Sequence, residues 1–219
     1  MINGTPVIAF TSHKPGVGKT TAAFLLCYWW ATQGKTITYA DADHTSQSGS
    51  TWQRKADKRG GTKIPFNRIS VAHAGLVDEV SEQHHGEDLI GIDVGGGDRA
   101  LSSLAVSIAD IVVIATTMSP FDSEHVPAMS DEIDAALALS DRSKNDIEKL
   151  VLFGRYDRRR ANAKDRLKAA FNKRGLDVVD NALPDLVDYE NVKNHHPGDY
   201  GLDMSDVKKL ATEFEEILW

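Results

Sequence analysis

The chain has 219 residues, 41% hydrophobic and 26% charged, with a formal net charge of −7. That balance excludes wholesale disorder, and no apolar run approaches the roughly 18 residues of a membrane helix. A single cysteine, Cys27, excludes an internal disulfide or a CxxC metal site, and the opening MINGTPVIAF lacks the basic start and long apolar stretch of a signal peptide. One domain over residues 1–219, in the cytoplasm, is the expectation.

In chain order, short apolar runs predict strands over 7–10, 37–40, 68–72, 89–92, 111–115, 150–153 and 177–179. Several are continuous Val/Ile/Leu without polar alternation, as in strands covered on both faces. Between them, helical periodicity predicts helices over 20–32, 76–84, 100–109, 123–140 and 161–174. A last helix over 205–218 sets Val207, Leu210, Ala211, Phe214, Ile217 and Leu218 on one stripe. Repeated β-α-β units imply an α/β fold, a mostly parallel, twisted sheet with helices on both faces. Two stretches, 45–61 and 188–201, read as loops. Ligands of such sheets bind at the carboxyl ends of the strands.

The first strand leads directly into Ser12-His13-Lys14-Pro15-Gly16-Val17-Gly18-Lys19-Thr20-Thr21 and a helix. A glycine turn aims successive backbone N–H groups inward, and the helix N-terminus adds positive potential, so the arrangement suits a triphosphate. Lys19 is expected between the β- and γ-phosphates, and the Thr20 hydroxyl on Mg²⁺. The strict GxxxxGK[ST] pattern has glycine where His13 stands. A magnesium–nucleotide site also needs carboxylates at neighbouring strand ends. Asp41 and Asp43 close the second strand, and Asp93 closes the fourth, followed by Gly95-Gly96-Gly97.

The segment Lys14-Pro15-Gly16-Val17-Gly18-Lys19-Thr20-Thr21 closely resembles KGGxGK[ST]T, the deviant Walker A motif of the ParA/MinD ATPases, with Pro15 replacing a glycine. Asp41 and Asp43 resemble that family's DxD pair, Asp93 its Walker B aspartate, and Ser119-Pro120-Phe121-Asp122 its SPxD segment. The continuation His44-Thr45-Ser46-Gln47 departs from the usual PQ. The resemblance implies a P-loop ATPase using ATP and Mg²⁺ in a sandwich homodimer, where Lys14 crosses to the partner's phosphates. It also implies that Asp43, 24 residues beyond Lys19, orients the attacking water. Asp41 then supports the Mg²⁺ shell or Lys19, and Asp93 holds Mg²⁺ through water. Gly97 approaches the γ-phosphate, and Pro184 and Asp185 face the adenine, with Arg155 nearby. Asp122 either leads into the dimer face or simply caps a helix. Because the match starts almost at residue 1, the short form of ParA is expected, without an amino-terminal DNA-reading domain.

Nine Lys or Arg against two Asp between Arg155 and Arg174 make that stretch +7, leaving −14 for the rest. Arg158, Arg159 and Arg160 lead into a helix carrying Lys164, Arg166, Lys168, Lys173 and Arg174. Leu167 and Phe171 mark its buried stripe, with Ala163, Ala170 and Leu176 nearby. Cations in a row neutralise backbone phosphates without reading bases. In the resembling family, ATP-bound dimers bind DNA non-specifically through such residues, associate with the nucleoid and answer to a ParB-like centromere-binding protein.

Two other readings compete. A MinD-like ATPase would carry a basic amphipathic anchor, but the last helix is acidic on its polar side, so no membrane is expected. A metabolic P-loop ligase would leave Arg158–Arg160 without a role. The pairs His84-His85 and His195-His196 lack i, i+4 zinc spacing. Cys27, Tyr28, Trp29 and Trp30 read as packing residues of the first helix, and Trp52 as packing under the loop after Asp43.

Overall fold

The computed structural model describes residues 2, 4–43, 63–185, 189 and 201–218. The expected loop over 45–61, with Trp52, lies outside them, as do His44 and most of 188–201, including His195-His196.

Seven strands, β1 (Val7–Thr11), β2 (Ile37–Ala42), β3 (Asn67–Ser70), β4 (Leu89–Val94), β5 (Ile111–Thr116), β6 (Glu148–Phe153) and β7 (Asp177–Val178), form one sheet. They lie in the order β3-β2-β4-β1-β5-β6-β7, and every pairing is parallel. The unalternating runs of β1, β4 and β5 are buried along their whole length because both faces are covered. Successive side chains enter opposite cores. Ile8 and Phe10 point toward α1 (Lys19–Thr32) and α6 (Ser205–Leu218), and Val7 and Ala9 toward the other face. That second face is covered by α2 (Leu76–Glu82), α3 (Arg99–Ile108), α4 (Val126–Leu139) and α5 (Ala161–Asn172).

The expected helix over 123–140 is broken in two. A four-residue helical turn, Pro120–Ser123, precedes α4, which has proline near its start. Pro127 has no N–H to donate and its ring clashes with the carbonyl four residues back, so one helix cannot run through 123–127. Two smaller expectations are also corrected. Ile217, in the last turn of α6, is exposed although Val207, Leu210, Ala211 and Phe214 are buried. Ala170 faces solvent, because α5 sinks only Phe171 and partly Leu167 into the core. Cys27, Tyr28 and Trp30 of α1 are buried as expected, and Trp30 Nε1 donates to Glu215 Oε1 at 2.9 Å, fastening α1 to α6.

Candidate functional site

The order of the strands sets β1 between β4 and β5, so the turn after β1 emerges at the centre of the sheet's carboxyl edge. Gly16 and Gly18 hold the left-handed backbone there, at φ 83° and 90°, and Gly18 is the N-cap of α1. Pro15 lies outside the left-handed region, so the residue that replaces a family glycine falls where proline is tolerated. Two neighbouring glycines let other loops lie flush against this turn. A Cβ on Gly96 would meet the Lys14 carbonyl carbon and the Pro15 nitrogen at 2.7 Å. On Gly154, just after β6, it would collide with the Val17 carbonyl oxygen. Gly97 N–H donates to the Ser12 carbonyl at 3.1 Å, tying the segment after β4 to the phosphate loop.

The two lysines of the loop have different surroundings. Lys19 is 5% exposed, and its Nζ lies 2.5 Å from Asp93 Oδ1 and 3.3 Å from Thr20 Oγ1. Asp93 is fully buried, and its Oδ2 accepts from the Tyr39 hydroxyl at 2.9 Å. Burial, reinforced by the charge of Asp93, pushes the Tyr39 phenol well above its ordinary range and the Cys27 thiol upward as well. Lys14, by contrast, stands at the rim with a side chain 37% exposed. Its Nζ donates to the Phe121 carbonyl at 2.9 Å, lies 3.5 Å from Asp122 Oδ1 and sits 5.8 Å from the centre of the Phe121 ring. Phe121 is 74% exposed. Asp122 does not cap its own helical turn by side chain. It accepts from Thr117 Oγ1 at 2.6 Å and faces Lys14.

Asp41 and Asp93 are register partners on paired strands, so their side chains leave the same face. Asp43 is buried at the end of β2, donates its N–H to Asp41 Oδ1 at 3.3 Å, and rests its carboxylate against Gly95. The structure thus gathers Lys14, Lys19, Thr20, Asp41, Asp43, Asp93 and Gly97 at one edge. On the β6 side, Pro184 pairs with Tyr156, and Arg155 Nε donates to Asp185 Oδ1 at 3.0 Å while its guanidinium reaches the Gly16 carbonyl at 3.5 Å. Thr21 continues into α1, and Val17 is buried beneath the loop.

The basic stretch is less uniformly cationic than its sequence. Arg158 pairs with Asp206 at 2.5 Å and Arg159 with Asp157 at 3.0 Å, while Lys164 and Lys168 both reach Asp180, at its carbonyl and its carboxylate. Arg160, Arg166, Lys173 and Arg174 are exposed and make no ion pair among the described residues.

Three features have no counterpart among the sequence expectations. They are the Tyr39–Asp93 bond, the approach of Gly154 to the loop, and a stack of His13 on His125 with ring centres 4.1 Å apart and planes at 16°. Only the first had a signal, since Tyr39 alternates in phase with Asp41 and Asp43.

The parallel sheet, with a two-lysine glycine turn at its centre and carboxylates at neighbouring strand ends, has the ParA/MinD P-loop fold. Apo McdA from Cyanothece superposes with a TM-score of 0.74 at 15% identity, covering 98% of this chain and 100% of that one. A putative plasmid partition protein from Borrelia burgdorferi, bound to AMPPNP, gives 0.71 at 15% identity over 98% of each chain. Within this class, the chain belongs to the VirC1 protein family, whose model matches residues 5–202. Protein virC1 of Rhizobium radiobacter is 26% identical over 125 residues, a match spanning 53% of this chain and 51% of that protein. The chain therefore aligns with about half the length of that relative.

Proposed function

We propose that the chain is a ParA-like partition ATPase that binds Mg–ATP, pairs with a second copy through the nucleotide, and holds DNA without reading its sequence. The observation that carries this reading is the division between the loop's two lysines. Lys19 is inward on Asp93, while Lys14 stands at the rim beside an exposed aromatic ring. Lys19 is the cation for the phosphates in its own loop, and Lys14 is positioned for charge arriving from outside.

The donor set suits magnesium. Thr20 offers a hydroxyl and Asp93 a carboxylate, and no cluster of three His, Cys, Asp or Glu able to grip a metal directly occurs among the described residues. Magnesium bound with nucleotide is held in this sparse way, through water and phosphate oxygens. When bound, it neutralises charge on the oxygens of the transferring group. The protein's own work is positioning. Lys19 and the partner's Lys14 neutralise phosphate oxygens, the backbone of Gly16 to Thr21 cradles them, and Gly97 meets the terminal phosphate once its N–H leaves the Ser12 carbonyl. Asp43, beside Gly95, orients the water, with Asp41 fixing its backbone. Pro184, Asp185 and Arg155 border the base. Hydrolysis is slow until a ParB-like partner binds.

DNA is held by Arg160, Arg166, Lys173 and Arg174, with Arg158, Arg159 and Lys168 contributing after exchange of their acidic partners and Lys164 after leaving the Asp180 carbonyl. A membrane-anchored alternative is disfavoured because the apolar stripe of α6 is spent against α1. Retention of DNA measured with ATP, ADP or no nucleotide across a salt series tests the reading. ATP-dependent binding that falls steeply with salt is expected. Equal binding in all three states, or salt-indifferent binding, contradicts it.

A further inference from the structure

We propose that Tyr39 is a positioning residue for the magnesium–nucleotide site, fixing one oxygen of Asp93 so that the other is presented to the metal's water shell. The assignment rests on the ATPase reading and goes beyond it.

The register explains how a strand tyrosine reaches that carboxylate. Tyr39 lies opposite Gly91 on β4, and Asp93 is two residues further along the same face. Glycine at 91 makes room for α1 on that face. Any Cβ at that position would already stand 2.7 Å from Cys27 Sγ of α1. The ring is fully buried and held by Phe24 at 6.1 Å and Phe66 at 5.7 Å between ring centres. With its ring fixed, the hydroxyl donates to Asp93 Oδ2 at 2.9 Å, while Oδ1 takes Lys19. The two oxygens therefore have distinct duties. Tyr39 is rigid and cannot follow a ligand, whereas Lys19 has a long flexible side chain at the start of α1. When Lys19 turns to phosphate, Oδ1 is released and Oδ2 stays anchored. A carboxylate pinned by one oxygen keeps a single orientation, which a water-mediated metal contact requires.

The test measures binding rather than turnover. A fluorescent ATP analogue is titrated into wild type and Tyr39→Phe, with EDTA and across a magnesium series. The expected result is an unchanged affinity in EDTA and a magnesium requirement raised on the order of tenfold in the variant, the usual cost of losing an outer-shell partner. In an Asp93→Asn background the same change is expected to add nothing. Phe66→Leu, which keeps the hydroxyl but loosens the ring that carries it, is expected to raise the magnesium requirement by less than Tyr39→Phe does and to leave the affinity in EDTA unchanged. A Tyr39→Phe protein with the wild-type magnesium requirement overturns the assignment. So does a folded Tyr39→Phe protein whose loss is equal with and without magnesium. A wild type that binds no nucleotide contradicts the ATPase reading itself, and is distinguished by that control.

Discussion

At the scale of single residues, the site is built on one buried ion pair, Lys19 with Asp93. Removing one partner strands a charge in the core, and Lys19→Met is expected to cost about 3 kcal/mol in urea unfolding, beyond its loss of nucleotide binding. An unchanged midpoint would mean that the pair is not buried in solution. Gly154→Ala makes a sharper case, because nothing polar is altered. Its new methyl collides with the Val17 carbonyl, so a loss of about 1–3 kcal/mol and weaker nucleotide binding are expected together. Normal binding by that variant would show that the loop has room to move. Lys14, Lys19, Asp43 and Asp93 were legible because a motif fixes their spacing along the chain. Tyr39 shows in the sequence only its phase with Asp41 and Asp43, and Gly154 shows nothing, because each acts on a residue distant in sequence. The first contact comes from strand register and the second from the approach of two loops, and a sequence without its pairing states neither.

At the scale of elements, the strands were readable because burial on both faces demands unbroken apolar runs. Helix ends were less so. The break before α4 came from Pro127, whose missing N–H was visible in the sequence but outweighed by the apolar periodicity on either side. The overreach at Ile217 has a different origin. Periodicity marks which stripe of a helix is apolar, not where its partner surface stops. The packing that this stripe makes is strong all the same. Trp30 is buried against Phe214 and bonded to Glu215, so Trp30→Ala is expected to cost about 3–5 kcal/mol, read as a lowered unfolding midpoint. The edge where β2 meets β4 has its own clamp. Burial alone would raise the Glu87 carboxyl. The His85 backbone N–H, the Thr38 hydroxyl and the His84 ring together hold it below its ordinary 4.5. A lowered folded-state value means that its stabilisation is complete above 4.5 and disappears as pH falls through the lowered value. Glu87→Gln is therefore expected to flatten the acid limb of a thermal-stability profile below that pH, and an unaltered limb would contradict the clamp.

At the scale of the whole molecule, charge and exposure point to two surfaces. One is the basic shoulder around α5. Composition made that shoulder visible but overstated it, because Asp180 and Asp206, from two segments outside the stretch, fold back onto it. Replacing Arg160, Lys173 and Arg174 with alanine is expected to reduce the salt slope of DNA binding by about one for each phosphate no longer neutralised. Replacing Arg158 is expected to matter less, because Asp206 already holds it. The other surface is the rim where Lys14 and the exposed Phe121 stand together. Pairing through that rim is the central claim, and sedimentation velocity with a non-hydrolysable ATP analogue tests it most directly. Wild type is expected to double its mass only with the analogue, while Lys14→Ala binds nucleotide and stays single. A wild type that remains single when saturated, or a Lys14→Ala protein that doubles as readily, would contradict pairing through Lys14.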